Sequence, residues 1–229
     1  MIEDYAYVTA TDLAFVINGE IRALTVHNTP NVRSVRRKYS GILQQREPAF
    51  ILELAGILIQ NYGYRGMPYE LVRFHRSTFQ SLGLAEIESL GQGIDSWWSV
   101  DSFARVISGP AWLKGLVNDG LVHNWAQSSD RWWRRAALVS TVALNLRSQG
   151  GFGDTVRTLA VCDAMISDRD DMVVKAMSWA LRELAVPDPE AVRAYLKDHE
   201  DQLAARVRRE VRNKLDTGLK NPRRKATKR

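Results

Sequence analysis

The chain has 229 residues, of which 45% are hydrophobic and 25% are charged, a composition typical of a globular protein with a sizeable core. The single cysteine excludes an internal disulfide, no apolar run is long enough to cross a membrane, and the acidic start is unlike a signal peptide. We therefore expect a cytoplasmic protein in which Cys162 is a buried, unreactive thiol.

The net charge of +6 is unevenly distributed along the chain. From residue 203 to the end there are eleven Lys or Arg against two Asp or Glu, so the preceding 202 residues carry a net charge of −3. This asymmetry indicates a polyanionic partner. The alternative is a basic tail that is simply solvated.

In chain order, apolar residues at helical spacing predict a helix from about Thr11. Four more helices begin near Pro30, Pro48, Pro68 and Leu84, with proline in the first turn of three of them. A helix carrying two adjacent tryptophans is predicted from Ile94 to Ser108 and ends at Gly109-Pro110. Short helices around Trp112 and Trp125 follow.

The most informative predicted helix opens at Ser128, with Ser129 and Asp130 as N-cap residues. Its apolar stripe comprises Trp132, Ala136, Val139, Ala143 and Leu146, beside the guanidinium groups of Arg131 and Arg135. A glycine-rich loop follows, and four more helices are predicted after it, at 154–166, 167–185, 188–200 and 203–217. The second of these begins with a capping box formed by Ser167 and Asp170.

No stretch has the pattern of a β-strand, and helices of about 10 to 20 residues joined by short connections favour an all-α helical-repeat solenoid. No sequence motif repeats, so the repeat prediction depends on helix spacing. The run Gly150-Gly151-Phe152-Gly153 lacks the spacing of a dinucleotide-binding loop. Four scattered histidines and one cysteine do not form a metal site, and we expect neither a metal nor a cofactor.

Trp97 and Asp101, one helical turn apart, are the first candidates for a functional site. Val100, Phe103, Ala104 and Ile107 form the buried face of their helix, with Trp97 at its border. A carboxylate beside an indole suits a cationic group. The alternative is that Asp101 only pairs with Arg105 and that Trp97 belongs to the core.

Trp179, between Lys175 and Arg182, is the second candidate, because an indole flanked by two cations suits a nucleotide. The alternative is an indole covered by the alkyl parts of the basic side chains. In the helix after Ser128, Trp132 and Trp133 lie about 100° apart, so only one of them packs inward. Arg135 either binds a phosphate or pairs with a nearby carboxylate.

Taken together and in order, these segments resemble the AlkD family of DNA alkylation repair proteins, which are DNA glycosylases built from HEAT-like repeats. The pattern is Trp-x-x-x-Asp at Trp97, Trp-x-x-Arg at Trp132, and Lys-Ala-x-x-Trp-x-Leu-Arg-Glu at Lys175, and the likeness extends from about Pro68 to Pro222. The first 45 residues diverge, with Arg-Arg-Lys-Tyr at 36–39, and Trp98 adds an indole beside Trp97.

The resemblance implies a HEAT-like solenoid with a basic concave face that binds duplex DNA through its backbone. It implies excision of cationic purines, such as 7-methylguanine and 3-methyladenine, without base flipping. Asp101 would be catalytic, and Trp97, Arg135 and Trp179 would bind the DNA beside it. We also expect Arg134, Lys175 and Arg182 to bind DNA. We expect these groups to converge, in a monomer associated with the nucleoid when it is bound to DNA.

Two other functions remain open. One is a relative without catalytic activity that binds branched or distorted DNA, and the other is a helical-repeat scaffold for proteins in which the tryptophans only pack. We expect one all-α domain over residues 1–217, with divergent N-terminal helices at 1–45 and a basic tail at 218–229.

Overall fold

The structure is a computed structural model that describes residues 8–222. Over this range the chain is all-α, as predicted, with no β-strand. The helices are α1 Ala10–Arg22, α2 Thr29–Ile42, α3 Pro48–Gln60, α4 Gly66–Phe74, α5 Arg76–Gln80, α6 Leu84–Gly91, α7 Trp97–Phe103, α8 Gly109–Leu113, α9 Asp119–Ala126, α10 Arg131–Asn145, α11 Thr155–Asp163, α12 Asp171–Leu184, α13 Pro189–Asp198 and α14 Ala205–Thr217.

Helices pack against their second neighbours along the chain. In the first half α1 packs on α3 and α2 on α4, and in the second half α10 packs on α12 and α12 on α14. Alternate helices therefore stack on one another, which is the arrangement of a helical-repeat array. None of the helices within residues 8–222 is long and apolar enough to cross a membrane.

Helix starts are fixed by side chains that accept backbone N–H groups left free in the first turn. Asp130 caps α10 by accepting from the Trp132 amide at 2.8 Å, and Asp188 caps α13 by accepting from Ala191 at 3.1 Å. Asp170 is itself the N-cap of α12, accepting from Met172 at 2.8 Å. The predicted capping box of Ser167 and Asp170 is therefore wrong, because the helix begins one residue after Asp170.

Helix α10 is buried on every side rather than along one stripe, which corrects the sequence-based description. Each residue from Arg135 to Asn145 is buried. The helix lies between α7, α8 and α9 on one side and α11 and α12 on the other. Small residues such as Ala136, Ala137 and Ala143 leave room for both sets of neighbours.

Of the two adjacent tryptophans in α10, Trp133 makes the aromatic contacts of the core. Its ring centroid lies 5.0 Å from that of Trp125 and 5.9 Å from that of Phe103. Trp132 lies under the guanidinium of Arg131, whose Cζ is 4.8 Å from the ring centroid. Both indoles are partly buried against the core, so the expectation that only one packs inward is wrong, and Trp133 rather than the Trp132 of the predicted stripe makes the aromatic contacts.

The helix that begins at Trp97 does not end at Gly109-Pro110 as the sequence suggested. A π-helical turn at Ala104–Ser108 follows α7 and leads directly into α8, with Gly109 in helical conformation. A wider turn relieves the clash between a proline ring and the preceding turn, and Pro110 has no amide hydrogen to leave unpaired. The chain therefore continues as a helix through a Gly-Pro pair.

The start of α8 lies very close to α10 at Gly109. We therefore predict that Gly109→Ala destabilises the fold. A Cβ at Gly109 would lie 2.8 Å from the carbonyl oxygens of Ala104 and Ser140. Backbone atoms cannot give way as a flexible side chain can, so we expect the free energy of unfolding to fall by about 1 to 3 kcal/mol. Denaturant unfolding measures this difference.

Gly19→Ala in α1 is the matched control, because a Cβ there meets no atom within 4 Å. Alanine is the better helix former, so this variant should gain about 0.5 to 1 kcal/mol. Equal stability of the Gly109→Ala variant and the wild type would contradict the close approach of α8 to α10.

Cys162 is fully buried in α11, as predicted, and burial raises the pKa of its thiol. The thiol is therefore protonated and poorly reactive at neutral pH. Helix α14 ends at Thr217 with Gly218 in the left-handed conformation, at the predicted boundary. The remainder of the predicted tail, residues 223–229, lies outside the described residues.

Candidate active site

Asp101 is held by a bidentate ion pair with Arg135. The Nε of Arg135 donates to Oδ1 of Asp101 at 2.9 Å, and its Nη2 donates to Oδ2, also at 2.9 Å. Asp101 lies in the second turn of α7 and Arg135 in the second turn of α10. Because both helices pack tightly on each other, the carboxylate has one fixed orientation.

Arg135 is the buried member of the pair, since only 5% of the residue is exposed. Its Nη1 donates to the carbonyl oxygen of Met172 at 2.6 Å, at the start of α12. The phosphate contact implied by the family resemblance does not fit this geometry, because the guanidinium is already bonded on three sides. Arg135 instead positions Asp101 and ties α7, α10 and α12 together.

Burial raises the pKa of Asp101 above its ordinary value, while the hydrogen bonds and charge of Arg135 oppose that rise. The positive charge of Arg105 also favours the ionised form. Asp101 is thus a partly desolvated carboxylate, with 17% of its side chain exposed, whose charge depends on the neighbouring arginines. Such carboxylates are frequent in functional sites.

Asp101 lies on the wall of an open cleft with a volume of about 970 Å³. Trp97 and Trp179, predicted to accompany it, line the same cleft. Trp97 is 58% exposed, and the partly buried Trp179 is oriented by a hydrogen bond from its Nε1 to Glu183 at 2.8 Å. The structure therefore brings these three groups to one surface, with Arg135 behind Asp101.

Other aromatic side chains also reach the cleft. Trp98 is 47% exposed and Phe74 59% exposed, and both line it. No hydrogen bond within residues 8–222 engages the indole N–H of Trp97 or Trp98, whereas Trp112 and Trp125 donate to carboxylates. Trp97, Trp98 and Phe74 thus present ring surface that the fold does not cover.

Helix α2 forms part of the cleft, which gives a place in the site to part of the divergent first 45 residues. Arg33 and Arg36 of α2 line it, and each donates to a different oxygen of the buried Glu70 in α4, at 2.7 Å and 3.1 Å. The Arg36 guanidinium also lies 4.5 Å from the ring centroid of Phe74. The cluster of basic residues in α2 was the sequence signal for this wall.

The lining of the cleft is predominantly cationic. Arg65, Arg73 and Arg105 join Arg33 and Arg36, and the lining carboxylates are Asp101 and Glu70. Arg65 is fixed by donating to the carbonyl oxygens of Gln92 at 2.8 Å and Gly93 at 2.6 Å. Five guanidinium groups against two carboxylates favour an anionic ligand.

Arg105 is not the hydrogen-bonding partner of Asp101, which was the alternative considered from the sequence. The hydrogen bonds of Asp101 go to Arg135, so the alternative of a simple Asp101–Arg105 pair does not describe the site. Arg105 is exposed, and its Cζ lies 5.7 Å from the ring centroid of Trp179.

Three other predicted DNA-binding residues are absent from the lining of this cleft. Arg134 donates to Asp168 at 2.8 Å and to the carbonyl oxygen of Ser128 at 3.0 Å. Lys175 pairs with Asp171 on its own helix at 2.6 Å. Arg182 donates to Ser178 at 3.3 Å, and burial lowers the pKa of its guanidinium. Because these cations are engaged within the fold, their proposed DNA contacts gain no support from the cleft.

Within residues 8–222, no group of three or more His, Cys, Asp or Glu side chains is arranged to hold a metal ion. What the site offers is a fixed carboxylate, exposed aromatic rings and a set of guanidinium groups. This combination defines the class: an all-α protein whose cleft has the charge to suit an anionic ligand, with the Asp101 carboxylate on its wall.

The comparisons with known proteins agree with that class. The family described as DNA alkylation repair enzyme matches residues 26–215, which is most of the chain, and the protein belongs to this family. Membership of a DNA repair family implies interaction with DNA. Comparison with curated proteins and with solved structures gave no match.

Proposed function

We propose that this protein is a DNA glycosylase that excises cationic alkylated purines, of the 7-methylguanine and 3-methyladenine type, from duplex DNA. The observation that carries the proposal is Asp101, fixed by two hydrogen bonds from Arg135 at the edge of a cationic, aromatic-lined cleft. Family membership supports a substrate of alkylated DNA.

The charge of the substrate determines the chemistry that the site needs. When the bond between C1′ and the base nitrogen breaks, its electron pair neutralises the positive charge of the alkylated base. The departing base therefore needs no proton, and a strong general acid is not required. The sugar becomes an oxocarbenium-like cation, which a fixed carboxylate stabilises.

Asp101 retains the capacity for this task despite its ion pair. Each carboxylate oxygen accepts one hydrogen bond from Arg135, and each has a further lone pair. These lone pairs are available to the developing cation and to a water molecule. The water adds to C1′ and gives up a proton, which Asp101 or solvent accepts.

The shape of the cleft supports excision without a base-flipping pocket. It is an open groove whose aromatic rings are broadly exposed, so they suit the sugar and the edges of stacked bases. The guanidinium groups that line the cleft suit the phosphates of a duplex, whatever its sequence.

We predict that the purified protein releases 7-methylguanine from methylated duplex DNA but does not release uracil from a duplex containing deoxyuridine. Uracil is a neutral leaving group that needs a proton as it departs, whereas the proposed mechanism uses Asp101 as an anion and assigns no residue as a general acid. Chromatography of the released bases measures both reactions. Release of uracil at a comparable rate would contradict the proposed mechanism.

A second candidate function is binding to branched or distorted DNA without catalysis. It is favoured by the engagement of both Asp101 oxygens in hydrogen bonds with Arg135 and by the low exposure of that carboxylate. Release of no alkylated base, together with tight binding to a branched duplex, would support this function instead.

A further inference from the structure

Arg105 differs from the other arginines that line the cleft. Arg33, Arg36 and Arg65 donate hydrogen bonds to groups of the fold. Arg73 is half buried, with its Cζ 4.2 Å from the ring centroid of Phe79. Arg105 is exposed and forms no hydrogen bond or ion pair with any residue between 8 and 222. Its guanidinium donors are therefore available to a ligand.

The position of Arg105 is defined by two groups of the proposed site. It follows Asp101 by four residues, at the start of the π-helical turn, and both side chains line the cleft. On its other side, the guanidinium lies 5.7 Å from the centroid of the Trp179 ring. The cation therefore interacts electrostatically with the Asp101 carboxylate and lies near an aromatic surface.

Electrostatics explains why a free cation is useful at this position. A nucleotide whose sugar meets Asp101 brings a phosphate group close to a carboxylate, and the two negative charges repel each other. A guanidinium placed between them offsets that repulsion, and its fork of N–H groups matches two phosphate oxygens. Arg135 is buried and already donates three hydrogen bonds within the fold, so it does not meet this need.

We propose that Arg105 is the residue that binds the backbone phosphate next to the lesion and so positions the sugar against Asp101, an assignment that rests on the proposed glycosylase function. The Trp179 ring, 5.7 Å from the guanidinium carbon, limits the orientations that the Arg105 side chain can take. Arg135, in turn, acts on the carboxylate from behind.

The test compares three variants, Arg105→Gln, Arg105→Lys and the control Arg37→Gln. Arg37 is also an exposed arginine, but it lies on α2 outside the cleft lining and forms no hydrogen bond or ion pair within residues 8–222. The probe is a duplex with one tetrahydrofuran abasic site, which is not cleaved. The Kd is measured over a range of salt concentrations.

For Arg105→Gln we expect a Kd at least about 10-fold weaker, because a charge-assisted hydrogen bond to phosphate is lost. The slope of log K against log salt should become shallower by about 0.9, the value for one phosphate contact. Arg105→Lys should restore the slope but only part of the affinity, because lysine keeps the charge without the fork. Arg37→Gln should resemble the wild type in both quantities.

An unchanged slope and Kd for Arg105→Gln would overturn the assignment, and so would an equal change for Arg37→Gln. The proposed function fails by a different result, namely that the wild type releases no alkylated base. In that case, a changed salt slope for Arg105→Gln would still show that Arg105 contacts a phosphate. It would assign Arg105 no role in excision. Thermal unfolding of each variant separates these outcomes from loss of the fold.

Discussion

Replacing Asp101 with Asn is expected to lower the single-turnover rate of 7-methylguanine excision by about 10² to 10³. Asparagine keeps the shape of the side chain but removes the negative charge that stabilises the cationic sugar. Binding to undamaged duplex should change little, because the contacts proposed for the DNA backbone come from the arginines of the cleft. Excision and Kd are measured on the same methylated duplex and its unmodified counterpart.

Asp95→Asn is the matched control for this experiment. Asp95 precedes α7, is exposed, and does not line the cleft, so its replacement makes the same change in charge outside the site. We expect excision by this variant at the wild-type rate. An Asp101→Asn variant as fast as the wild type would exclude the electrostatic role of Asp101.

The second large effect is expected from Arg135→Met, which leaves the Asp101 carboxylate without its partner. Removing one member of a buried ion pair costs about 3 to 5 kcal/mol, because the other charge stays desolvated. The carbonyl oxygen of Met172 also loses its donor. Denaturant unfolding at neutral pH measures the loss.

The pH dependence of this variant distinguishes a buried charge from lost packing. In the wild type, burial already raises the pKa of Asp101, and the hydrogen bonds of Arg135 oppose the rise. Without Arg135 the pKa rises further, so the folded state takes up a proton more readily than the unfolded chain. The stability deficit should therefore shrink as pH falls, and excision should be lost at a higher pH than in the wild type.

Arg131→Met provides the control for the loss of an arginine from the same helix. Its ion pair with Asp170 is 3.5 Å long and the Arg131 side chain is 52% exposed, so we expect a loss of no more than about 1 kcal/mol. A deficit in Arg135→Met that is independent of pH would show that packing, rather than the charge of Asp101, determines its stability.

Local sequence patterns were sufficient to predict most of the helices. The N-caps Asp130 and Asp188 and the C-terminal Gly218 mark helix ends through contacts with residues a few positions away. Apart from the capping box at Ser167, the errors arose where a distant element decides the outcome. Continuation through Gly109-Pro110 depends on a π-helical turn packed against α10, and the burial of α10 on all sides depends on neighbours from both halves of the chain.

Only the part of the candidate site that depends on neighbouring residues in the chain was predicted. Trp97 and Asp101 share one helical turn, so their proximity is visible in the sequence. The partner of Asp101 lies 34 residues away, and the neighbouring Arg105 was the nearer candidate on the chain. The wall formed by Arg33 and Arg36 depends on the packing of α2 on α4, which no local pattern contains.

The burial of α10 has a consequence for how the chain responds to partial unfolding. In a one-dimensional array each unit contacts only its neighbours, so an end can open while the rest persists. Here α10 contacts α7, α8 and α9 as well as α11 and α12, and it carries Arg135, which holds the Asp101 carboxylate. If the helices packed on α10 separate from it, the backbone amides of α10 become exposed. The ion pair that holds Asp101 is lost at the same time. We therefore expect the arrangement of the candidate site to be lost in the same cooperative unfolding step as the centre of the fold.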